Sequence, residues 1–270
     1  MNSPIKYYGG KSYMTDILKK YFPQSYDIYI EGFGGGASLL FSKDPDGVEI
    51  YNDLGENVYS LFKVLSDKEM FQRMKERLEL TPYSAQLREE FKTLLKEDSL
   101  SVEDRAYYFI YVNRTSFNGV GGFSFNNCVR RNMSKSVSDY LSMVDKLPDI
   151  HNRLSRVLVE HRDIFDLIDR YDSEDVFMYL DPPYVKSTRL SSTEYEVEMS
   201  DEEHQKFVDR LLKCKCKVLV SGYDHPIYSK LSEKFNKIDF DSPNSKSTAV
   251  ETLWMNYSPI VDVKENDLWQ

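Results

Sequence analysis

The stretch VFMYLDPPYV, residues 176–185, sets five apolar residues directly before an acid, two prolines and a tyrosine. A short apolar run bounded by breakers reads as a buried strand, and proline has no N–H with which to continue a ladder. The strand therefore stops at Asp181 and hands the chain to a turn fixed by Pro182 and Pro183. Four more stretches repeat the pattern: DIYIEGF (27–33), GVEIYND (47–53), RVLVEHRD (156–163) and CKVLVSGYD (216–224) each run from apolar and β-branched residues into a Gly or an Asp. Helical stretches at 11–22, 56–65, 164–170 and 200–213 fill the gaps, while KIDFDS (237–242) and TAVETLWMNYS (248–258) read as a closing hairpin. Strands alternating with helices predict an α/β fold around a mainly parallel sheet.

The alternation breaks over 67–155. Helical periodicity takes over in DKEMFQRMKERLEL and SAQLREEFKTLLK, and a Gly/Asn/Ser-rich stretch follows. The expected organisation is a discontinuous main domain, 1–62 and 156–270, with an inserted, mainly helical domain over 63–155. At 270 residues, 41% apolar and 14% aromatic, the chain can bury one large core or two unequal ones. Its apolar runs fall far short of the ~20 residues of a membrane span, and MNSPIKYYGGK has no apolar signal core, so a cytoplasmic protein with no membrane partner is expected. Cys128, Cys214 and Cys216 are odd in number and the four histidines are scattered, so neither a disulfide framework nor a metal is expected. Cys214-Lys215-Cys216 reads as packing.

EGFGGGASLLF (31–41) follows one strand and opens an apolar helix, a context in which a Gly-rich turn lets a cofactor approach the backbone. The next strand ends at Asp53, 19 residues after Gly34. That is close to the ~20-residue offset at which an acid meets a ribose hydroxyl in nucleotide-binding α/β folds. Together these features point to an adenosyl ligand. The glycines do not spell GxGxxG, and no GKS or GKT follows, so a P-loop is disfavoured.

In an open parallel sheet, ligands sit outside the carboxyl ends of the strands, which is where Asp181-Pro182-Pro183-Tyr184 emerges. The prolines offer carbonyls but no N–H, Asp181 offers a carboxylate, and Tyr184 offers a flat face for stacking. Acceptors without donors suit an amine. The exocyclic amino group of an aromatic base is a poor nucleophile because its lone pair is delocalised into the ring. Two acceptors on its N–H groups localise that pair toward an electrophile.

In chain order, KYYGGK (6–11), EGFGGGAS (31–38), YND (51–53), FIYVNRTSFNG (109–119), YLDPPYV (179–185), VLVSGYD (218–224) and AVETLWMNYSP (249–259) resemble the Dam-type, D12 class DNA adenine-N6 methyltransferases. The resemblance implies a Rossmann-like methyltransferase sheet with an inserted target-recognition domain. It implies transfer of a methyl group from S-adenosylmethionine to N6 of an adenine swung out of double-stranded DNA, with Asp181, Pro182, Pro183 and Tyr184 as the catalytic turn. The family pattern sets Tyr7 and Lys11 beside the cofactor, Asp53 on its ribose and Asp181 where cofactor and target meet. The same resemblance implies that Glu31 and the backbone from Phe33 through Gly34 to Gly36 hold the methionyl part. Asp163 is a candidate for the donor's adenine amino group, or a cap on the helix that follows it.

A net charge of −9 argues, as a global average, against a protein that coats nucleic acid. The window from Arg105 to Ser138 departs from that average: five cations, Arg105, Arg114, Arg130, Arg131 and Lys135, and no acid. Its Asn, Ser, Gly and aromatic residues suit base edges, backbone and stacking. Arg105, within a helical segment, reads as a staple between the two domains. Arg130 and Arg131 read as phosphate contacts, with Arg114, Asn118 and Lys135 as further DNA-facing candidates, although Asn113 and Arg114 could equally be structural. Relatives that read GATC commonly carry an Arg-bearing pair after the Asn-Gly of this segment. Here Val120-Gly121-Gly122-Phe123 follows, so the resemblance does not extend to GATC. Methylation of RNA or of a protein amide, and a catalytically silent DNA-binding subunit, are the rival readings. Keeping Asp181 and Tyr184 disfavours the latter. A monomer or weak dimer is expected.

Overall fold

The computed structural model describes residues 1–7, 11, 13–188, 196–241 and 250–259. Its strands are β1 (Ile28–Glu31), β2 (Val48–Asn52), β3 (Val129–Arg130), β4 (Met133–Ser134), β5 (Val157–Glu160), β6 (Val176–Leu180), β7 (Lys217–Tyr223), β8 (Asn236–Asp241) and β9 (Val250–Met255). Seven of them form one sheet in the order β5-β2-β1-β6-β7-β9-β8, and β3 with β4 makes a separate hairpin. β1, β6 and β7 run parallel, while β9 is antiparallel to both β7 and β8. The fold is therefore the expected α/β type around a mainly parallel sheet, closed by the antiparallel pair read from 237–258. β6 is buried at every position because it has parallel neighbours on both sides, which is why its sequence is continuously apolar rather than alternating.

The helices are α1 (Thr15–Lys20), α2 (Ser38–Ser42), α3 (Glu56–Ser66), α4 (Lys68–Leu80), α5 (Ala85–Leu94), α6 (Val102–Thr115), α7 (Lys135–Leu154), α8 (Ile164–Tyr171), α9 (Asp201–Leu211) and α10 (Ser229–Lys234). Side chains fix their starts. Asp67 accepts from the N–H groups of Glu69 and Met70 to begin α4, and Ser84 and Ser101 cap α5 and α6. Ser200 and Glu203 form a reciprocal capping box at α9, each such cap contributing about 1 kcal/mol. No described helix is long and apolar enough to cross a membrane.

Contacts divide the chain into two compact units: Met1–Lys11, Gly34–Ser42 and Ile50–His161 form one, and Ser12–Phe33, Lys43–Glu49 and Arg162–Gln270 the other. In the first, the Tyr51 ring on β2 stacks on Phe62 of α3 at 4.0 Å between centroids and 4° between planes. Beyond it, Phe71, Met74, Leu78, Ile110, Tyr111, Tyr140 and Leu147 are buried along α4, α6 and α7. In the second, Tyr29, Phe177, Phe207 and Trp254 are fully buried around β1, β6 and β7.

Candidate functional site

Within the second unit, β1 and β6 are adjacent and parallel, with Glu31 level with Tyr179. From β1 the sheet continues through β2 on one side, and from β6 through β7 on the other, so the β1/β6 pair is the topological switch point at which α/β sheets bind ligands. Asp181 follows the last residue of β6. Its Oδ1 accepts a hydrogen bond from the Ser221 hydroxyl of β7 at 2.7 Å. Ser221 and the Tyr179 hydroxyl lie 3.0 Å apart. Serine has one proton, already given to Asp181, so Tyr179 is the donor to Ser221. Burial first, and then the Asp181 charge, raise the Tyr179 phenol well above its ordinary value, which keeps that donor protonated. A directional chain, Tyr179 to Ser221 to Asp181, thus orients one carboxylate oxygen from inside the sheet.

Pro182 and Pro183 are buried and Tyr184 is half-buried. The Tyr184 hydroxyl donates to Glu251 Oε2 at 3.0 Å, and Tyr13 donates to Glu251 Oε1 at 2.8 Å. Glu251 is 2% exposed and sits directly across the β7–β9 ladder from Tyr223, whose ring meets Tyr184 edge-on at 4.6 Å. The Tyr184 ring is thereby held at its hydroxyl and along one side. Ser221, Glu251, Tyr13 and Tyr223 were not singled out by sequence reasoning. The available signal was a serine and a glutamate inside the otherwise apolar strands VLVSGYD and AVETLW, since buried polar residues are uncommon there.

Glu31 is 2% exposed and accepts from the Tyr29 hydroxyl at 2.8 Å. Phe33 packs edge-on against Phe207 of α9 at 5.8 Å. Asp163 is exposed and accepts from the Phe165 N–H at 2.8 Å, so it acts as the N-cap of α8.

The first unit holds the glycine loop. The Gly34 N–H donates to the Asn52 carbonyl at 2.8 Å, and the Tyr51 hydroxyl donates to the Gly35 carbonyl at 2.8 Å. Asp53, 9% exposed, accepts from the Gly35 N–H through one oxygen and from the Gly55 N–H through the other, both at 2.7 Å. The acid expected on a ribose pins the loop to the end of β2 through these two bonds. A Cβ on Gly34 would lie 2.2 Å from the Tyr51 ring, which the Phe62 stack holds in place, and Gly35 has φ +47°. These positions require glycine. Tyr7 lies against the same loop, 2.6 Å from where a Cβ on Gly35 would stand. Gly36 meets Tyr7 and Ser3, and Lys11 is buried at 5% exposure.

The acid-free window also lies in the first unit. Arg105 donates to the carbonyls of Glu97 at 3.0 Å and Leu95 at 3.4 Å and to Asn57 Oδ1 at 3.4 Å, all within this one unit, so it ties α6 to neighbouring segments. Asn113 clamps the backbone of Lys6 through two hydrogen bonds of 2.9 Å, and Gly119, φ +84°, fits closely against the Lys6 carbonyl. Arg88, which sequence reasoning missed, is 3% exposed and supports the loop by donating to Ser116 Oγ at 2.9 Å and the Gly121 carbonyl at 2.6 Å. Arg114 is partly buried, and desolvation lowers its pKa to about 10. Burial, followed by the nearby Arg114 charge, lowers Lys6 as well. Asn118 is exposed with φ +50°. Phe117, Phe125 and Val129 are also exposed, at 64%, 70% and 79%.

Arg131 and Asn132, φ +54° and +59°, form the two-residue turn of the β3–β4 hairpin. Left-handed conformation at both central residues matches the twist that a tight hairpin needs, although Asn-Gly is the usual choice. Arg130 and Lys135 both pair with Asp139, at 2.8 Å and 2.6 Å, in half-exposed ion pairs. The first acid after the window thus partly offsets its charge. Arg131 donates only to a neutral group, Ser142 Oγ, at 3.1 Å among the described hydrogen bonds.

The chain matches the family of D12 class N6 adenine-specific DNA methyltransferases over residues 7–253. It is 26% identical to the type II methyltransferase M.MjaIII of Methanocaldococcus jannaschii, covering 94% of this chain and 98% of that protein. It is 23% identical to the type II methyltransferase M1.LlaDCHI of Lactococcus lactis subsp. cremoris, covering 93% and 94%. The type II methyltransferase M.CviBI of Paramecium bursaria Chlorella virus NC1A is also 23% identical, over 87% and 91%.

Proposed function

We propose, because this chain belongs to the D12 class N6 adenine-specific DNA methyltransferase family, that it moves the methyl group of S-adenosylmethionine to N6 of an adenine extruded from duplex DNA. The observation that carries this reading is the Tyr179–Ser221–Asp181 chain beside a tyrosine held by Glu251. When bound, S-adenosylmethionine supplies an electrophilic methyl on a sulfonium. The residues fit such a ligand: Lys11 is a buried cation suited to a carboxylate, Glu31 and Asp53 are buried acceptors suited to ammonium and hydroxyl groups, and the backbone at Gly34 is assigned to the ligand's approach. Tyr7, Phe33 and Gly36 are assigned to the same ligand, and Asp163 to its adenine amino group in addition to its capping bond.

Asp181 does the activating. Oriented by the Ser221 hydrogen bond, the Asp181 carboxylate accepts an N–H of the target amine, and a carbonyl of the proline turn accepts the other. The amine lone pair is thereby localised for attack. As the N–CH3 bond formed, the sulfonium–methyl bond would break to leave a neutral thioether, and the extra proton on the amine would pass to the Asp181 carboxylate. Tyr184 stacks on the base, and its anchorage to Glu251 fixes that face before the base arrives. Extrusion is required because N6 is otherwise paired within the helix.

The segment 63–155 is assigned to target recognition. Arg114, Asn118, Arg130, Arg131 and Lys135 are its proposed DNA contacts, and exposed Phe117 and Phe125 suit stacking against bases. A left-handed arginine at a hairpin tip costs about 1–2 kcal/mol, which supports a working role for Arg131. Tritiated methyl transfer to duplex DNA, single-stranded DNA and RNA, measured side by side, tests the reading. Duplex DNA is expected to be the substrate, and Asp181→Ala is expected to abolish turnover while sparing DNA affinity. A preference for RNA, or normal turnover by that variant, refutes it.

A further inference from the structure

At the end of α9, outside the residues assigned to methyl transfer, two cysteines meet an ion-pair network. Cys214 is half-buried and Cys216 fully buried, and their sulfurs and a carboxylate oxygen of Asp172 all lie within 4.8 Å of one another. Arg210 donates to Asp169 Oδ1 at 2.8 Å, to Asp172 Oδ2 at 3.1 Å and to Cys214 Sγ at 3.3 Å. The other oxygen of Asp172 accepts the N–H groups of Lys215 and Cys216, at 2.7 and 2.9 Å. The bend between the cysteines is thus fastened from both sides, with both thiols brought together beside a guanidinium held in place by two carboxylates.

The geometry points to Cys214 and Cys216 as a reversible oxidation site, in which Cys214 is the thiol attacked by a hydroperoxide and Cys216 the thiol that resolves it to a disulfide. The hydrogen bond from Cys216, and next the Arg210 charge, lower the Cys214 thiol. Donating that bond, together with burial, raises Cys216. The pair therefore divides into a thiolate-prone member that is partly accessible and a protonated member that is not, the arrangement expected of an attacking and a resolving cysteine. A bound divalent cation is the weaker use of the same groups. Arg210 already occupies one oxygen of Asp172 and touches Cys214, and its positive charge opposes a second one.

The chemistry balances without any other group. Cys214 thiolate attacks the terminal oxygen of the hydroperoxide, the O–O bond breaks, and the released alkoxide or hydroxide takes up a proton, leaving Cys214 as a sulfenic acid. The sulfur of Cys216 then attacks Cys214. The S–S bond forms, the S–O bond breaks, and hydroxide departs as water with the Cys216 proton. Two electrons pass from the two thiols to the hydroperoxide, and an added dithiol reverses the change.

The test treats the full chain with hydrogen peroxide, blocks free thiols with iodoacetamide and maps the peptides by mass. The peptide holding both residues should lack two hydrogens and carry no label, then take two labels after reduction with dithiothreitol, while exposed Cys128 is labelled throughout. In Cys216→Ser, dimedone should trap a sulfenic acid at Cys214. In Arg210→Gln, disulfide formation should slow by roughly threefold or more as the thiolate fraction falls. Full labelling of Cys214 and Cys216 after peroxide overturns the proposal, as does a Cys216→Ser variant trapped at Cys128 and not at Cys214. Zinc that co-purifies with the chain and blocks both thiols until a chelator is added overturns it in favour of a metal site.

Discussion

Ser221→Ala removes one oxygen from the 1%-exposed middle of β7 and leaves the backbone ladder to β6 and β9 unchanged. Two groups lose a partner. Asp181 loses a 2.7 Å donor, and a hydrogen bond to a charged group is worth about 1.5–3 kcal/mol. If that loss falls on the transition state, at ~1.4 kcal/mol per decade, the single-turnover rate should fall about 10- to 100-fold. Tyr179, buried and protonated, loses the acceptor it uses, at a cost to stability of about 1–3 kcal/mol. Each kcal/mol lowers Tm by about 2–4 °C in a chain of this size. Tritiated methyl transfer under single-turnover conditions reads the first effect, scanning calorimetry the second, and fluorescence anisotropy with duplex DNA supplies the control, which should not move. Ser221→Thr keeps the hydroxyl and should recover most of the rate. A folded Ser221→Ala protein with the wild-type rate would show that Asp181 is oriented by something other than this chain.

Asp53→Ala should weaken S-adenosylmethionine binding by about 1–3 kcal/mol in titration calorimetry, because a ribose acceptor is lost and the Gly35 N–H is released together. Unchanged affinity would remove Asp53 from the cofactor site. Replacing Arg130 and Arg131 with Gln should lower the slope of log affinity against log salt by up to about two, equally on matched and mismatched duplexes. A smaller change at Arg130 alone is expected, because Asp139 already shares its charge. A collapse of the matched-to-mismatched ratio would instead mean that one of them grips a guanine. Arg114 supplies a pH test. Desolvation sets its free value at about 10, and a phosphate beside it would raise that value, so binding takes up a proton once the free side chain begins to lose its own. Affinity should therefore hold at neutral pH and fall as the pH passes about 10, where lysines and bases titrate as well, so Arg114→Gln should shrink that step. A step of equal size in the variant would remove Arg114 from the interface.

The positions of the main strands along the chain and the closing hairpin were legible in the sequence because each strand is a short apolar run ended by Gly, Asp or Pro, and those signals are local. The glycine loop was legible for the same reason, since a turn that must avoid the Tyr51 ring can carry no side chain at Gly34. The two short strands of the β3–β4 hairpin were not. Arg131-Asn132 lacks the Asn-Gly signature, and the pair spans only two residues a side. Asp181 and Tyr184 announced themselves through the prolines between them. What holds them did not: Ser221 and Glu251 lie 40 and 67 residues further along, and only strand order and register bring them into bonding distance. Charge behaved likewise. The acid-free window is a fact of sequence, but whether a cation in it ties a helix to neighbouring segments, as Arg105 does, is half-neutralised by Asp139, as Arg130 and Lys135 are, or is desolvated, as Arg114 is, depends on which groups the folded chain brings within a few ångströms. Sequence alone determined which residue types stand at the strand ends. Tertiary structure decided their hydrogen bonds, and which cations are paired or desolvated, because both depend on distance and burial, which no linear spacing encodes.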